Sequence, residues 1–410
     1  MSDTKIIFLG AANDLLRRAM QADNLSGDPV QMIEDAVDRA RIMAIQGKHA
    51  IAKVMAADDL TMRVRRWNAL NAKAFRIYFG LDDNEERHIN RVEGRLAKTL
   101  ERLDKVIKVR VRPQFGPHSG HCKPGRSAYQ ASGSLGARRI NLCTKWFTIE
   151  DPDARAAIIN HELLHAMGWK GYTQDKKDAS GNKVYGSVAA RLLAVEDPQK
   201  ANKNAENYEQ FYRYLMHRVS TLGRPGWKGI KSDMDAAIAL PDNTMHFFHH
   251  GRYTVYRGGL GVIGSGAIGD GHWKNLRGPF DAALVHPHNG RAYFFRGDTY
   301  HRYNLSANTL EKTDTIGRVG WHGVPRDLDA ALIHPKNKKA YFFKGIHYYR
   351  YDFSQEKVDK TDVIGNSGWK KLHGYFDAAL VHPGNHKGYF FVGRRYYRYD
   401  FDKRAVDNLN

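Results

Sequence analysis

Apolar and polar positions follow two different rhythms in this chain, with the change near Gly223-Arg224-Pro225-Gly226. In the first half, apolar residues recur at three- and four-residue steps. Val30, Ile33, Val37 and Ile45 trace one stripe, and Ile89, Val92, Leu96, Leu100 and Leu103 trace a clearer one. That period places side chains on one face of an α-helix. Asp28-Pro29 supplies an N-cap followed by proline at the first helical position. Residues 1–105 therefore read as helical. From Ile107 to Arg112 apolar and basic residues alternate, the period of a strand, and Arg139-Ile140-Asn141-Leu142-Cys143 is a second short strand. Asp151-Pro152 repeats the capping pattern before a helix that carries Ile158, Ile159, Leu163 and Leu164. The first half is expected to be an α+β domain, mostly helical.

The second half repeats itself. Asp-Ala-Ala occurs at Asp235, Asp281, Asp329 and Asp377, at spacings of 46, 48 and 48 residues, and Trp227, Trp273, Trp321 and Trp369 each precede it by eight. Aromatic runs follow in register: Tyr293-Phe294-Phe295, Tyr341-Phe342-Phe343 and Tyr389-Phe390-Phe391, each leading to a glycine and a second run such as Tyr348-Tyr349-Arg350-Tyr351. Short aromatic runs separated by Pro, Asn and Gly are strands joined by tight turns. Each unit is one small antiparallel sheet. It cannot bury both faces alone, so neighbours must stack, and radial stacking gives a propeller.

Composition narrows the class. At 410 residues the chain is long for a single core, and 42% hydrophobic with 26% charged residues is ordinary for a globular protein. No apolar run approaches the roughly 20 residues of a membrane span. The formal charge of +20 favours acidic partners: acidic proteins, anionic glycans or surfaces. The basic residues are dispersed, so nucleic acid is not an expected partner. Cys122 and Cys143 form no Cys-x-x-Cys, which leaves one disulfide or two buried thiols. No A-x-A-like cleavage site follows the short apolar stretch Ile6 to Ala12, so a cleaved secretory signal is not expected.

The chemistry lies in His161-Glu162-Leu163-Leu164-His165. Histidines at i and i+4 share a helical face and can converge on one tetrahedral ion, which leaves Glu162 to activate water. The third ligand sets the class. Gly168 fits a metzincin pattern, but that pattern's third histidine would fall on Gly171. Glu196, on a later helix, is a candidate of the thermolysin kind.

Gly171-Tyr172-Thr173-Gln174-Asp175 resembles the Gly-Thr-x-Asp of the aspzincin family, which includes deuterolysin and the peptidyl-lysine metalloendopeptidases. Val184-Tyr185-Gly186 and Asn204-Ala205-Glu206-Asn207-Tyr208-x-x-Phe211 resemble further family motifs, and the resemblance spans about residues 67–215. It implies zinc held by His161, His165 and Asp175. It implies Glu162 as general acid and base, Tyr185 as donor to the oxyanion, and a Cys122–Cys143 disulfide. Glu206 replaces the family's aspartate in the pocket for the residue after the cut, which implies a preference for Lys or Arg there, with Tyr208 assisting substrate binding. The chain departs from the pattern by the inserted Tyr172 and by nine residues between Asp175 and Tyr185, where the family has two. Asp178 lies in that insertion and competes as ligand.

Residues 227–410 resemble the hemopexin repeat family through Asp-Ala-Ala, Tyr-Phe-Phe-x-Gly and Tyr-x-Arg-Tyr. This implies a four-bladed propeller that binds a protein, glycan or surface, with a channel able to hold a structural ion. The first unit diverges most, with Met245-His246-Phe247-Phe248. With no cysteine in the propeller, closure must rest on packing. His286, His334 and His382 precede prolines and read as turn residues rather than haem ligands.

The expected architecture is a mainly α (α+β) zincin-like metallopeptidase domain followed by an all-β four-bladed propeller. Residues 1–60 form a helical extension, either part of the catalytic domain or a pro-segment. Residues 61–222 form the peptidase and 227–410 the propeller. The expected activity is zinc-dependent cleavage of protein or peptide substrates, outside the cell, by an export route without a cleaved signal. The alternative is a catalytically silent binding protein.

Overall fold

In a computed structural model of the chain, Asp28 starts α1 (Pro29–Met55) by accepting the Val30 amide at 2.9 Å. The structure describes residues 6–8, 28–105, 107–113, 120–130, 139–165, 173–216, 222, 227–230, 234–269 and 271–407. Gly168, Gly171, Tyr172, the stretch Gly223-Arg224-Pro225-Gly226, and most of the region before residue 28 lie outside those residues. The chain divides into two compact units, Met1–His217 and Arg218–Asn410.

In the first unit, Asp59 and Asn84 cap α2 (Leu60–Phe79) and α3 (Glu85–Leu103) through side-chain bonds to the Met62 and Arg87 amides. A small sheet follows: β1 (Ile6–Phe8), β2 (Ile107–Arg112), β3 (Ala128–Gln130) and β4 (Arg139–Cys143), in the order β1-β2-β4-β3 with β3 an antiparallel edge. After it come α4 (Pro152–His165), α5 (Gly186–Glu196), the single turn α6 (Pro198–Ala201) and α7 (Ala205–Met216). Asp151 caps α4 by accepting the Asp153 amide at 2.9 Å.

Helix α1 lies at the centre of this unit. It buries Ile33, Val37, Met43, Ile51 and Val54 and touches α3, α4 and α7. At Gly47 a Cβ would stand 2.8 Å from the Tyr212 ring, so glycine sets how closely α1 and α7 approach. Trp67 stacks on Phe75 with centroids 4.8 Å apart, and Phe79 meets Tyr208 at 4.7 Å. Asn160 donates to the Ala40 carbonyl at 3.0 Å and ties α4 to α1. Cys122 and Cys143 are joined in a disulfide beside the buried Tyr129.

The second unit contains four antiparallel four-stranded sheets, each a simple meander. They are β5 (Ala236–Ala239) to β8 (Gly261–Ala267), β9 (Ala282–Val285) to β12 (Thr309–Thr315), β13 (Ala330–Ile333) to β16 (Lys357–Val363), and β17 (Ala378–Val381) to β20 (Ala405–Val406). The recurring aspartate explains the repeat. The Asp281 amide donates to Phe295, and its carboxylate accepts the Gly297 amide at 2.6 Å, which closes the turn between the second and third strands. Asp235, Asp329 and Asp377 do the same for His250, Gly345 and Gly393. His286, His334 and His382 accept backbone amides two residues on at Nδ1, which is the expected turn geometry.

Each tryptophan packs between two sheets. Trp273 meets Phe248 and Phe294, Trp321 meets Phe295 and Phe342, and Trp369 meets Phe343 and Phe390, at centroid distances of 5.0–5.5 Å. Trp227 repeats the arrangement between the first and last sheets, against Phe247 at 5.4 Å and Phe391 at 5.3 Å. The first strands of all four sheets line a common cavity of about 120 Å³ through Ala237, Ala283, Ala331 and Ala379 and their neighbours.

Candidate metal centre

Helix α4 presents His161 and His165 on one face, and their rings meet edge to face at 4.8 Å. The carboxylate of Asp175 reaches both. His161 Nε2 lies 3.3 Å and His165 Nε2 3.2 Å from Asp175 Oδ1, and the two Nε2 atoms are 3.1 Å apart. The far side of the His165 ring fixes its tautomer, and a carboxylate lies beside the far side of His161. His165 Nδ1 donates to the Thr173 carbonyl at 3.1 Å, and His161 Nδ1 stands 3.0 Å from the buried Glu209 carboxylate. With the ring protons on Nδ1, the two Nε2 lone pairs and an anionic oxygen converge on one point, where a metal cation satisfies all three. A tetrahedral zinc ion with bonds near 2.0–2.1 Å separates its ligands by about 3.3 Å. The observed triangle fits that ion. In the chain as it stands, burial would lower the His161 pKa, but its bonds to Asp175 and Glu209 outweigh burial and raise it well above the ordinary value. Burial likewise works to raise Asp175, and the two histidines bring it below the usual carboxylate range.

Why Asp175 arrives there is visible in the loop. Gln174 bonds the Lys203 carbonyl at 2.9 Å and Lys176 bonds Asn204 Oδ1 at 2.9 Å, so the residues on either side of Asp175 are pinned to the start of α7. Asn204 donates to Asn207, which in turn donates to the Tyr78 and Ala190 carbonyls, tying α7 to α2 and α5. The insertion folds back on itself. Lys177 pairs with Lys183, the Val184 amide reaches the Lys176 carbonyl, and Asp178 accepts the Asn182 amide at 2.8 Å. A hairpin therefore absorbs the extra residues and returns Tyr185 to Asp175, with the hydroxyl donating to Asp175 Oδ2 at 3.0 Å. Tyr185 is 52% exposed, so its ring reaches solvent beside the centre. Gly186 follows at φ +82°, the left-handed turn needed to enter α5. Asp178 is occupied by its own turn, and Glu196 ends α5; neither joins the histidine triangle.

Glu162 is buried, and its Oε2 has no hydrogen-bond partner among the described residues. Burial raises its pKa while His161 and His165 lower it, so it sits within the field of the ligands. Glu206 is also buried. Its Oε1 accepts the Gly186 amide at 2.8 Å and Gln210 at 2.9 Å, and its Oε2 lies 3.8 Å from His161 Nδ1. Burial, then the neighbouring Glu209 charge, pushes its pKa up to about 7. Tyr208 requires a correction. Its ring is fully buried against Phe79 and its hydroxyl donates to the Asn202 carbonyl at 2.9 Å, so it serves packing and does not face substrate.

Two residues at the site had not been singled out from the sequence. Glu209 follows Glu206 by three on α7, so the two carboxylates share a face, a signal that was available. Lys183, with Nζ 3.4 Å from both Asp175 Oδ2 and the Tyr185 hydroxyl, lies in the insertion, where no pattern marked it.

Two histidines of one helix, a carboxylate closing the triangle and a buried glutamate beside them are the donor set expected of a metallopeptidase centre. Residues 66–213 match the family model for lysine-specific metallo-endopeptidases, the aspzincins, and residues 328–367 match the hemopexin model. The first of these segments is thus similar to the aspzincin family of zinc metalloendopeptidases. An extracellular protease of Aeromonas hydrophila is 40% identical over 75 residues, 18% of this chain and 19% of that protein. The chain thus spans about a fifth of that relative's length. Among solved structures, the hemopexin-fold protein CP4 from cow pea aligns at TM-score 0.37 and 19% identity, over 43% of this chain and 92% of its own. The zinc peptidase from Grifola frondosa aligns at TM-score 0.33 and 18% identity, over 46% and 96%.

Proposed function

We propose that the chain is an exported zinc metalloendopeptidase whose second unit is a four-bladed propeller that docks a protein, glycan or surface. The observation that carries the catalytic reading is the convergence of His161 Nε2, His165 Nε2 and Asp175 Oδ1 at 3.1–3.3 Å. These three atoms hold zinc. When bound, zinc supplies a Lewis acid that polarises the scissile carbonyl and acidifies water. Glu162, buried and unpaired, takes the proton of the attacking water and passes it to the leaving amine. The Tyr185 hydroxyl donates to the oxyanion as it forms on the scissile carbonyl. Glu206 and Glu209 place two buried carboxyl groups at this end of the site, which supports a preference for Lys or Arg after the cut.

The domain boundaries follow the same reading: 61–222 for the peptidase and 227–410 for the propeller. The burial of α1 against α3, α4 and α7 supports assigning the described part of residues 1–60 to the catalytic domain rather than to a removable segment. The repeated tryptophan packing, with Trp227 between the first and last sheets, supports the propeller and its closure without a disulfide. The cavity lined by the four first strands is the place for a structural ion. The Cys122–Cys143 disulfide supports an oxidising compartment.

Glu162→Gln tests the mechanism. It keeps the three ligand atoms, so zinc content should hold at the wild-type level while cleavage falls about 10²–10⁴-fold. Wild-type cleavage by that variant would refute the assignment.

A further inference from the structure

The four sheets of the second unit each end in an outer strand, and three of these edges are guarded in the manner of natural sheet proteins, by charge or by shortness. Strand β12 carries Glu311, Lys312 and Asp314, and β16 carries Lys357, Asp359, Lys360 and Asp362. Strand β20 is two residues long. The register bulges at Glu311 opposite Arg302 and at Asp359 opposite Arg350, and both pairs are ion pairs, at 3.0 and 2.7 Å. Arg398 pairs with Asp407 in the fourth sheet. The first sheet breaks the rule. At the same bulge β8 has Ile263, and the residue before it on the neighbouring strand is Val255. Strand β8 reads Gly-Val-Ile-Gly-Ser-Gly-Ala without a charge over seven residues. Leu260, Val262 and Ile263 are 70%, 40% and 46% exposed there.

The ends of β8 are not neutral. In register, Arg257 pairs with Gly261 and Arg252 with Ala267, so an exposed arginine brackets each end, and neither makes an ion pair among the described residues. A second copy is a poor occupant. It would carry its own Arg252 and Arg257 to the same edge, in a chain of charge +20, where an acidic segment meets opposite charge. We infer that β8 docks an extended segment of a partner polypeptide, apolar at alternate positions and carrying carboxylates at both ends. Backbone bonds to the open edge give the affinity, Leu260, Val262 and Ile263 select the apolar residues, and the two arginines select the acidic ends. This refines the docking role proposed for the second unit, and it does not depend on the peptidase reading.

The test uses the full chain, with a chelator present to keep peptides intact, and two labelled peptides of alternating valine and threonine. One ends in glutamates and the other in lysines, and fluorescence anisotropy reads binding. The glutamate-ended peptide should bind saturably and at least about tenfold tighter than the lysine-ended one at low salt. Ile263→Lys and Val262→Lys should each weaken it about tenfold or more, while Val319→Lys, at an exposed apolar position elsewhere, should leave it unchanged, with thermal melts confirming that each variant folds. Equal binding of the two peptides, or full binding by the β8 variants, would overturn the inference. So would a concentration-dependent dimer lost in those variants, which would make a second copy the occupant. Cleavage of an unfolded protein by the same variants without chelator reports separately on the peptidase reading.

Discussion

Trp321 and Asn204 each hold several elements together, in different units and by different means. Trp321 packs Phe295 of one sheet against Phe342 of the next, and three other tryptophans do the same at equivalent positions. Asn204 accepts the Lys176 amide beside Asp175 and donates to Asn207, and nothing else among the described residues of the unit repeats that link. One unit applies a single apolar solution four times. The other builds one polar network in which each side chain has a separate partner. The first arrangement is redundant in geometry and tolerant in detail, as the divergent first repeat shows. The second positions atoms for chemistry and leaves little slack.

The largest expected effect is at the contact between the first and last sheets. If Trp227 closes the ring as the others join neighbours, Trp227→Ala and Trp321→Ala should each cost the second unit about 3–5 kcal/mol in chemical denaturation, with zinc binding unchanged. A much smaller loss for Trp227 would break the equivalence of the four contacts.

A second effect distinguishes the first sheet from its siblings. His246 stands where they have Tyr293, Tyr341 and Tyr389, and it accepts the Trp273 indole N–H at 3.2 Å. Burial, with the neighbouring His272 charge, lowers its pKa to about 4. A depressed folded pKa makes the neutral ring the stabilising form. That stability is complete above the unfolded value of about 6.5 and is lost as pH falls through 4, by about 3 kcal/mol over the window. His246→Tyr should remove that share of the acid loss from urea midpoints measured between pH 7 and pH 4. An unchanged slope would place the sensitivity elsewhere.

The smallest effect probes the polar network. Glu209 holds the Nδ1 side of His161. Glu209→Ala should weaken zinc binding about 10–100-fold, with Glu209→Gln recovering part of it through its amide oxygen. Equal affinity in all three forms would mean that His161 is oriented without it.

The contrast between the units also explains what the sequence made legible. Four copies of Trp and Asp-Ala-Ala revealed the sheets, because each constraint is written several times. Helix α4 with its two histidines was legible because ligand spacing on a helix is local. The pairing of Asp175 with Tyr185 was obscured by the insertion, whose hairpin closure depends on backbone bonds that leave no pattern in residue type. Tyr208 sits in a motif read as functional, yet its burial against Phe79 is a fact of tertiary packing. Glu209 shares a helical face with Glu206, but its pairing with His161 crosses to another helix and has no period.

The central claim is that Asp175 completes the zinc site. The most direct test measures zinc content and cleavage of an unfolded, lysine-containing protein for wild type and Asp175→Ala side by side. The account predicts one zinc per wild-type chain, with zinc and cleavage lost together in the variant. Zinc and cleavage surviving in Asp175→Ala would contradict it.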